Sequence, residues 1–241
     1  MRNLKLVVEY DGTDWCGFQR QPRLPTIQGV LEEQLARLLG EPVRVIGASR
    51  TDAGVHALGQ VVNFHTASPL PVERVPLALN RLLPPSVVVK AAAEVPAGFH
   101  ARRSARRKRY HYTTLHQEAP SALVGRFCLV RGGPLDLAAM GQGLRHLEGR
   151  HDFSAFQAAG SSARQPVREV HAARVRRAGP LVVMVLEADG FLYQMARIMA
   201  ELALQIGAGV PPEAARQVLE GRQRVGTAAP PQGLCLVKVT Y

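Results

Sequence analysis

The sequence predicts an α+β protein made of two ferredoxin/RRM-like α/β units, residues 1–104 and 105–241, with mainly antiparallel sheets meeting at a central cleft. Three observations carry that prediction. In the first half, strand-patterned and helix-patterned segments follow the order β-α-β-β-α-β, which is the split βαβ arrangement. The second half shows a similar order of elements without close repetition of sequence. The chain, at 241 residues with 46% hydrophobic and 20% charged, is long and apolar enough for two small cores.

Each element has a local reason. Leu4 to Tyr10 is an apolar strand closed by the turn pair Asp11-Gly12. Thr26 caps a helix whose apolar face holds Ile27, Val30, Leu31, Leu35 and Leu38, and Gly40 ends it. Val43 to Ile46 and Gln60 to Thr66 read as strands. Pro76 suits the first turn of a short helix through Leu83, Pro84-Pro85 stops it, and Val87 to Ala91 is a strand. In the second half Arg109 to Leu115 is a strand with alternating Tyr110 and Tyr112. Asp136 caps a helix with Leu137, Met140, Leu144 and Leu147 on one side. Val167 to Val175 and Leu181 to Glu187 form a hairpin around Ala178-Gly179. Phe191 to Ile206 and Pro212 to Leu219 are helices, and Leu234 to Val239 is a last strand. In the first of these helices, Phe191, Met195, Ile198, Met199, Leu202 and Ile206 make an apolar side. Tyr193, Arg197, Ala200 and Leu204 make a mixed one. Asp14 to Pro25 and Gln157 to Pro166 are long loops.

The net charge of +11 and pI near 10.4 point to a polyanionic partner. Arginine dominates, since lysine occurs only at Lys5, Lys90, Lys108 and Lys238. Cys16, Cys128 and Cys235 are scattered without a CxxC pair, which argues against a disulfide framework or zinc site and fits a reducing cytoplasm. The start reads as a strand rather than a signal peptide, and no apolar run approaches a membrane span.

The loop from Gly47 to Ala57 (Gly-Ala-Ser-Arg-Thr-Asp-Ala-Gly-Val-His-Ala) concentrates Arg50, Thr51, Asp52 and His56 between glycines and small residues. A carboxylate beside an arginine in such a loop is a candidate acid, base or nucleophile. Residue types alone favour an Asx-turn with a surface arginine.

The loop also resembles the signature GxGRTDxGVHAxGQV of the tRNA pseudouridine synthase A family. Further matches follow in the same order. They are Tyr10-Asp11-Gly12-Thr13 with Gly17 to Gln21, Phe99-His100-Ala101-Arg102 with Arg109 to Tyr112, His151 to Phe156, Phe191 to Arg197, and Ala229-Pro230-Pro231 with Gly233-Leu234. The resemblance implies the pseudouridine synthase fold. It also implies cofactor-free and metal-free isomerisation of uridine to pseudouridine at positions 38, 39 or 40 of the tRNA anticodon stem-loop, by a homodimer. Asp52 matches the essential catalytic carboxylate, which either attacks covalently or deprotonates the sugar. Arg50 matches the arginine that holds the target nucleotide out of its stack. Tyr110 matches the active-site tyrosine, and Arg197 the arginine that pairs with the aspartate. For Tyr112 packing is the better reading, and for His56 a structural role. Ser49 departs from the family's Gly, Phe18 from its Trp, and Ala196 with Ile198-Met199 from its Val and Asn-Ile.

The run Arg102, Arg103, Arg106, Arg107, Lys108, Arg109 contains no acidic residue and precedes the tyrosine strand, so it is read as an RNA phosphate contact. Arg20, Arg23, Arg164 and Arg168 are weaker candidates for the same role. The rival readings are a non-catalytic RNA-binding protein of two RRM-like units and a nuclease. The nuclease lacks paired carboxylates or a His pair at a convincing spacing.

Overall fold

The computed structural model describes residues 1–160 and 165–241, so Arg164 lies outside the described residues. The elements in chain order are β1 (Arg2–Tyr10), α1 (Ile27–Leu39), β2 (Ile46–Gly47), β3 (His56–Thr66), α2 (Val75–Asn80), β4 (Val87–Val95), β5 (Arg107–Leu115), β6 (Leu129–Val130), α3 (Leu137–Arg145), β7 (Gly149–Asp152), β8 (Val167–Ala178), β9 (Leu181–Ala188), α4 (Met195–Gly207), α5 (Ala214–Leu219) and β10 (Leu234–Thr240). They pack as two units. One comprises residues 1–106 with 236–241, and the other residues 107–235. The architecture is mixed α+β with mostly antiparallel strands, as the sequence predicts. Among the described residues no helix is long and apolar enough to cross a membrane.

In the first unit the strand order is β4-β1-β3-β10, with β2 paired to β3. β1 runs antiparallel to β3 and to β4. Its alternation turns Leu4, Leu6, Val8 and Tyr10 inward. α1 forms where expected, because the Thr26 hydroxyl accepts the Gly29 N–H at 3.2 Å and Gly40 takes the left-handed cap. Its Ile27, Leu31 and Leu35 are buried. β3 begins at His56, four residues before the strand expected from Gln60, and nearly all its side chains are buried. A strand buried on both faces has no period-2 signal to read. Its polar Asn63 donates to Asn3 (2.9 Å) and accepts the Ala101 N–H (2.8 Å), while Asn3 donates to the Phe99 carbonyl (2.9 Å). These amides fasten the segment after β4 across the strands.

In the second unit the order is β5-β9-β8-β7, with the short β6 parallel to β5. Asp136 caps α3 by accepting the Ala139 N–H at 3.0 Å. Met140 and Leu144 of α3 are buried, as are Tyr112, Met184 and Leu186 of the sheet. α4 departs from expectation in two ways. It starts at Met195 rather than Phe191, because Gln194 adopts a left-handed backbone (φ 59°) that no helix can continue through. Its mixed face is also narrower than expected, since Ala200 and Leu204 are buried together with Met195, Ile198, Met199 and Leu202, and the half-buried polar stripe is Arg197, Glu201 and Gln205. A helix with so narrow a polar stripe packs most of its surface into the core.

Candidate active site

The polar loop runs from β2 to β3. The Ala48 N–H donates to the Val61 carbonyl (2.8 Å), which ends the β2 pairing. The Val55 N–H donates to the Asp52 carbonyl (3.2 Å), closing a four-residue turn with Gly54 left-handed at its third position (φ 78°). A side chain there would strain the turn. Asp52 is half-buried at the head of this turn, and Arg50 is exposed.

The stretch Asp11 to Gln28 lies against the loop. Phe18 donates its N–H to the Thr51 carbonyl (3.0 Å), and its ring is buried against Gly47, where a side chain would collide with it. The long loop therefore anchors this aromatic residue in the core. His56 Nδ1 lies 3.0 Å from the Gly12 nitrogen and 3.2 Å from Asp11 Oδ1, so the ring makes structural contacts to the turn after β1. Beneath the loop, the Tyr10 hydroxyl meets Thr51 Oγ1 at 2.7 Å, and Gln60 bonds both Tyr10 and Ser49.

The cationic candidates divide. Arg102, Arg103 and Arg106 belong to the first unit and are exposed. Partial desolvation and then the nearby Arg50 guanidinium hold Arg102 below the usual arginine range, so the two cations share a neighbourhood. Desolvation first, and then Arg103, likewise lowers His100.

Arg107, Lys108 and Arg109 lie in β5 of the second unit. Glu187, opposite Arg109 on β9, takes Arg109 Nε at 2.7 Å and Arg107 at 3.3 Å. The sequence run lacks an acid, but the sheet register supplies one. Burial pushes Glu187 up, and its bonds and charge contacts with the two arginines outweigh that, so the carboxyl sits below its ordinary value. An open groove of about 490 Å³ lies here, lined by Arg107, Arg109, Arg174, Arg176 and Glu187.

Tyr110 points to the opposite side of β5 from Arg109. It is buried, with its ring edge-on to Phe191 at 5.0 Å. Tyr112 is fully buried and donates to the Pro230 carbonyl (3.0 Å), and burial raises its hydroxyl above the ordinary range. Arg197 sits in the first turn of α4. Its Nε donates to the Ala229 carbonyl (2.7 Å), while the Ala229 N–H returns a bond to the Arg197 carbonyl (3.2 Å). Two of the distant sequence matches, Phe191–Arg197 and Ala229–Leu234, are thus one fastened unit.

Arg20 pairs with the buried Glu32 (2.9 Å) beside an open groove of about 730 Å³, which Arg23, Trp15 and Leu24 also line. Arg168 bonds the carbonyls of Gln165 (2.8 Å) and Val167 (2.7 Å). Among the described residues no group of three His, Cys, Asp or Glu side chains could hold a metal ion.

The mixed α+β scaffold presents a carboxylate and a guanidinium from one braced loop. The family model described as tRNA pseudouridine synthase matches residues 6–102 and 144–241. The chain belongs to that family, whose members are isomerases. The matched spans include Arg50, Asp52 and Arg197, and Tyr110 falls between them. Three proteins called tRNA pseudouridine synthase A illustrate the similarity. That of Acetivibrio thermocellus is 43% identical over 244 residues, covering 100% of both chains. That of Moorella thermoacetica is 44% identical over 243 residues, covering 99% of each. That of Geotalea daltonii is 42% identical over 244 residues, covering 100% of both. A solved archaeal box H/ACA sRNP Nop10–Cbf5 complex superposes with a TM-score of 0.34 at 14% identity, over 83% of this chain and 44% of that one, too loosely to bear on fold or activity. Membership of a family of isomerases sets aside the non-catalytic and nuclease alternatives.

Proposed function

We propose that this protein isomerises uridine to pseudouridine in the anticodon stem-loop of tRNA, at one or more of positions 38, 39 and 40, with Asp52 as the catalytic carboxylate and no cofactor. The observation that carries the reading is the braced loop. It holds Asp52 half-buried at a turn, two residues from an exposed arginine that neighbours a second cation. The names of the relatives support tRNA as the substrate.

The chemistry suits these side chains. The bond from the sugar C1′ to uracil N1 breaks, the base turns, and C1′ joins C5. The C5 proton leaves to solvent and N1 gains one, so electrons balance without an oxidant. A carboxylate serves by adding covalently or by stabilising positive charge at the sugar. Arg50 would fill the space vacated when the target base is flipped out, a step costing roughly a few kcal/mol. Tyr110 and Arg197 are proposed as further residues of the same reaction. The working form is proposed to be a cytoplasmic homodimer.

Incubation with tRNA carrying tritium at uracil C5 tests the activity. Tritium release from an uncut chain is the expected result. Binding without release, or strand scission, would overturn it.

The RNA phosphate contacts are assigned to Arg102, Arg103 and Arg106, which are exposed, ahead of Arg107 and Arg109, which Glu187 already holds. Arg102→Ala with Arg103→Ala is expected to weaken tRNA binding and to lower the slope of log affinity against log salt by about one for each phosphate left without its arginine. Arg107→Ala is expected to change that slope less. Equal slopes for both variants in a filter-binding salt series would refute the division.

A further inference from the structure

The buried side of the catalytic loop is held by one amide and one phenol. Gln60, on β3, has no exposed surface (0%). Its Oε1 accepts the Ser49 N–H at 3.2 Å, and its Nε2 donates to the Ser49 carbonyl at 2.8 Å. One side chain thus satisfies both backbone groups of Ser49, as a neighbouring strand would. Because Ser49 offers a donor on one side and an acceptor on the other, the amide has only one sense in which both bonds form. The other Nε2 hydrogen then goes to the Tyr10 oxygen (3.2 Å), and that oxygen meets Thr51 Oγ1 at 2.7 Å. Tyr10 and Thr51 are both buried. Ser49 and Thr51 flank Arg50, and Asp52 follows directly. The two residues proposed to act on substrate therefore project from a backbone clamped on its inner side.

We propose that Gln60 and Tyr10 are positioning residues for the isomerisation, setting through Ser49 and Thr51 where Asp52 and Arg50 present their side chains. The inference rests on the reading of Asp52 as the catalytic carboxylate. A fold-stabilising role alone would not need these bonds to converge on the residues either side of Arg50. Three buried polar groups in a sheet core are stabilised equally well by bonds to any strand. Here the bonds fall on the loop between β2 and β3 that carries the reactive groups. Reacting groups displaced by about an ångström lose rate steeply, which makes such bracing consequential.

The test compares pseudouridine formation on tRNA by the wild-type chain, Tyr10→Phe, Thr51→Val, Thr51→Ser and the Tyr10→Phe/Thr51→Val double variant. Each is assayed at a temperature where circular dichroism shows it folded. Tyr10→Phe and Thr51→Val are expected to lower kcat roughly tenfold to a hundredfold with KM for tRNA unchanged. Thr51→Ser, which keeps the hydroxyl, is expected to recover most of the rate. The double variant is expected to lose no more than the worse single one, because both remove the same bond. Variants that melt earlier yet keep wild-type kcat would overturn the proposal, as would equal losses in Thr51→Ser and Thr51→Val. Should Tyr10→Phe not fold, the Thr51 pair decides alone. A wild-type protein that forms no pseudouridine would sink the function proposed above. An active wild type with unaffected variants would sink this inference only.

Discussion

Asp52→Asn is expected to stop pseudouridine formation while tRNA binding survives. The substitution keeps shape and removes charge. An amide can neither add covalently, nor take a proton from the sugar, nor stabilise a developing cation, so the loss should reach roughly 10⁴-fold or more, as for other residues that carry a reaction. The loop should persist, because the bond that closes its turn uses the Asp52 backbone carbonyl and the Val55 N–H, which the change leaves in place. Affinity should persist because phosphate contacts, mostly from arginines elsewhere, supply it. Single-turnover assays of pseudouridine content and filter binding on the same preparations measure both. A variant turning over within tenfold of wild type would remove Asp52 from the chemistry, whatever else it does in the loop.

What the sequence disclosed and what it concealed divides along the line between local and non-local information. The caps at Thr26 and Asp136 are local, and each accepts the N–H three residues on. The loop with Arg50 and Asp52 is legible because several different stretches of the chain match the family's motifs in the same order, although residue types alone favour a surface turn. The clamp beneath it was not visible. Tyr10 and Gln60 lie 50 residues apart in the chain, and Gln60 sits in a strand buried on both faces whose lack of alternation hides its polar members. Phe18 illustrates the same limit. A polar loop that carries an aromatic residue looks like a binding platform, and only its packing against Gly47 shows that the ring is an anchor. The basic run was legible as charge but not as pairing, since Glu187 reaches Arg109 through the β5–β9 register. In α4, helical periodicity fitted too long a segment. The left-handed Gln194 interrupts it, and nothing about a glutamine announces that conformation.

Gly12→Ala is expected to destabilise the protein and to impair catalysis beyond the loss of stability. A Cβ on Gly12 would lie against the Val55 carbonyl oxygen, with the carbonyl carbon 2.7 Å and the Val55 nitrogen 3.2 Å away. These are backbone atoms, so no rotamer change relieves the contact. Neither side gives easily. The Gly12 N–H is held by His56 Nδ1 at 3.0 Å, the Val55 side chain is buried, and the Val55 N–H is bonded to the Asp52 carbonyl. Overpacking of this kind costs roughly 3 kcal/mol, equivalent for a chain of this size to a fall in Tm of roughly 10 °C. Relief requires Val55 to withdraw, and the turn that closes on Asp52 withdraws with it. The same methyl at Gly98, where nothing lies within 4 Å, separates the contact from the simple addition of a side chain. Gly98→Ala should melt no earlier than wild type, since it also narrows the unfolded ensemble. Thermal melts of both variants, with kcat measured well below each midpoint, check the argument. If Gly12→Ala kept full kcat once folded, Val55 would be free to move without dragging the carboxylate, and the loop would be less rigid than its hydrogen bonds imply.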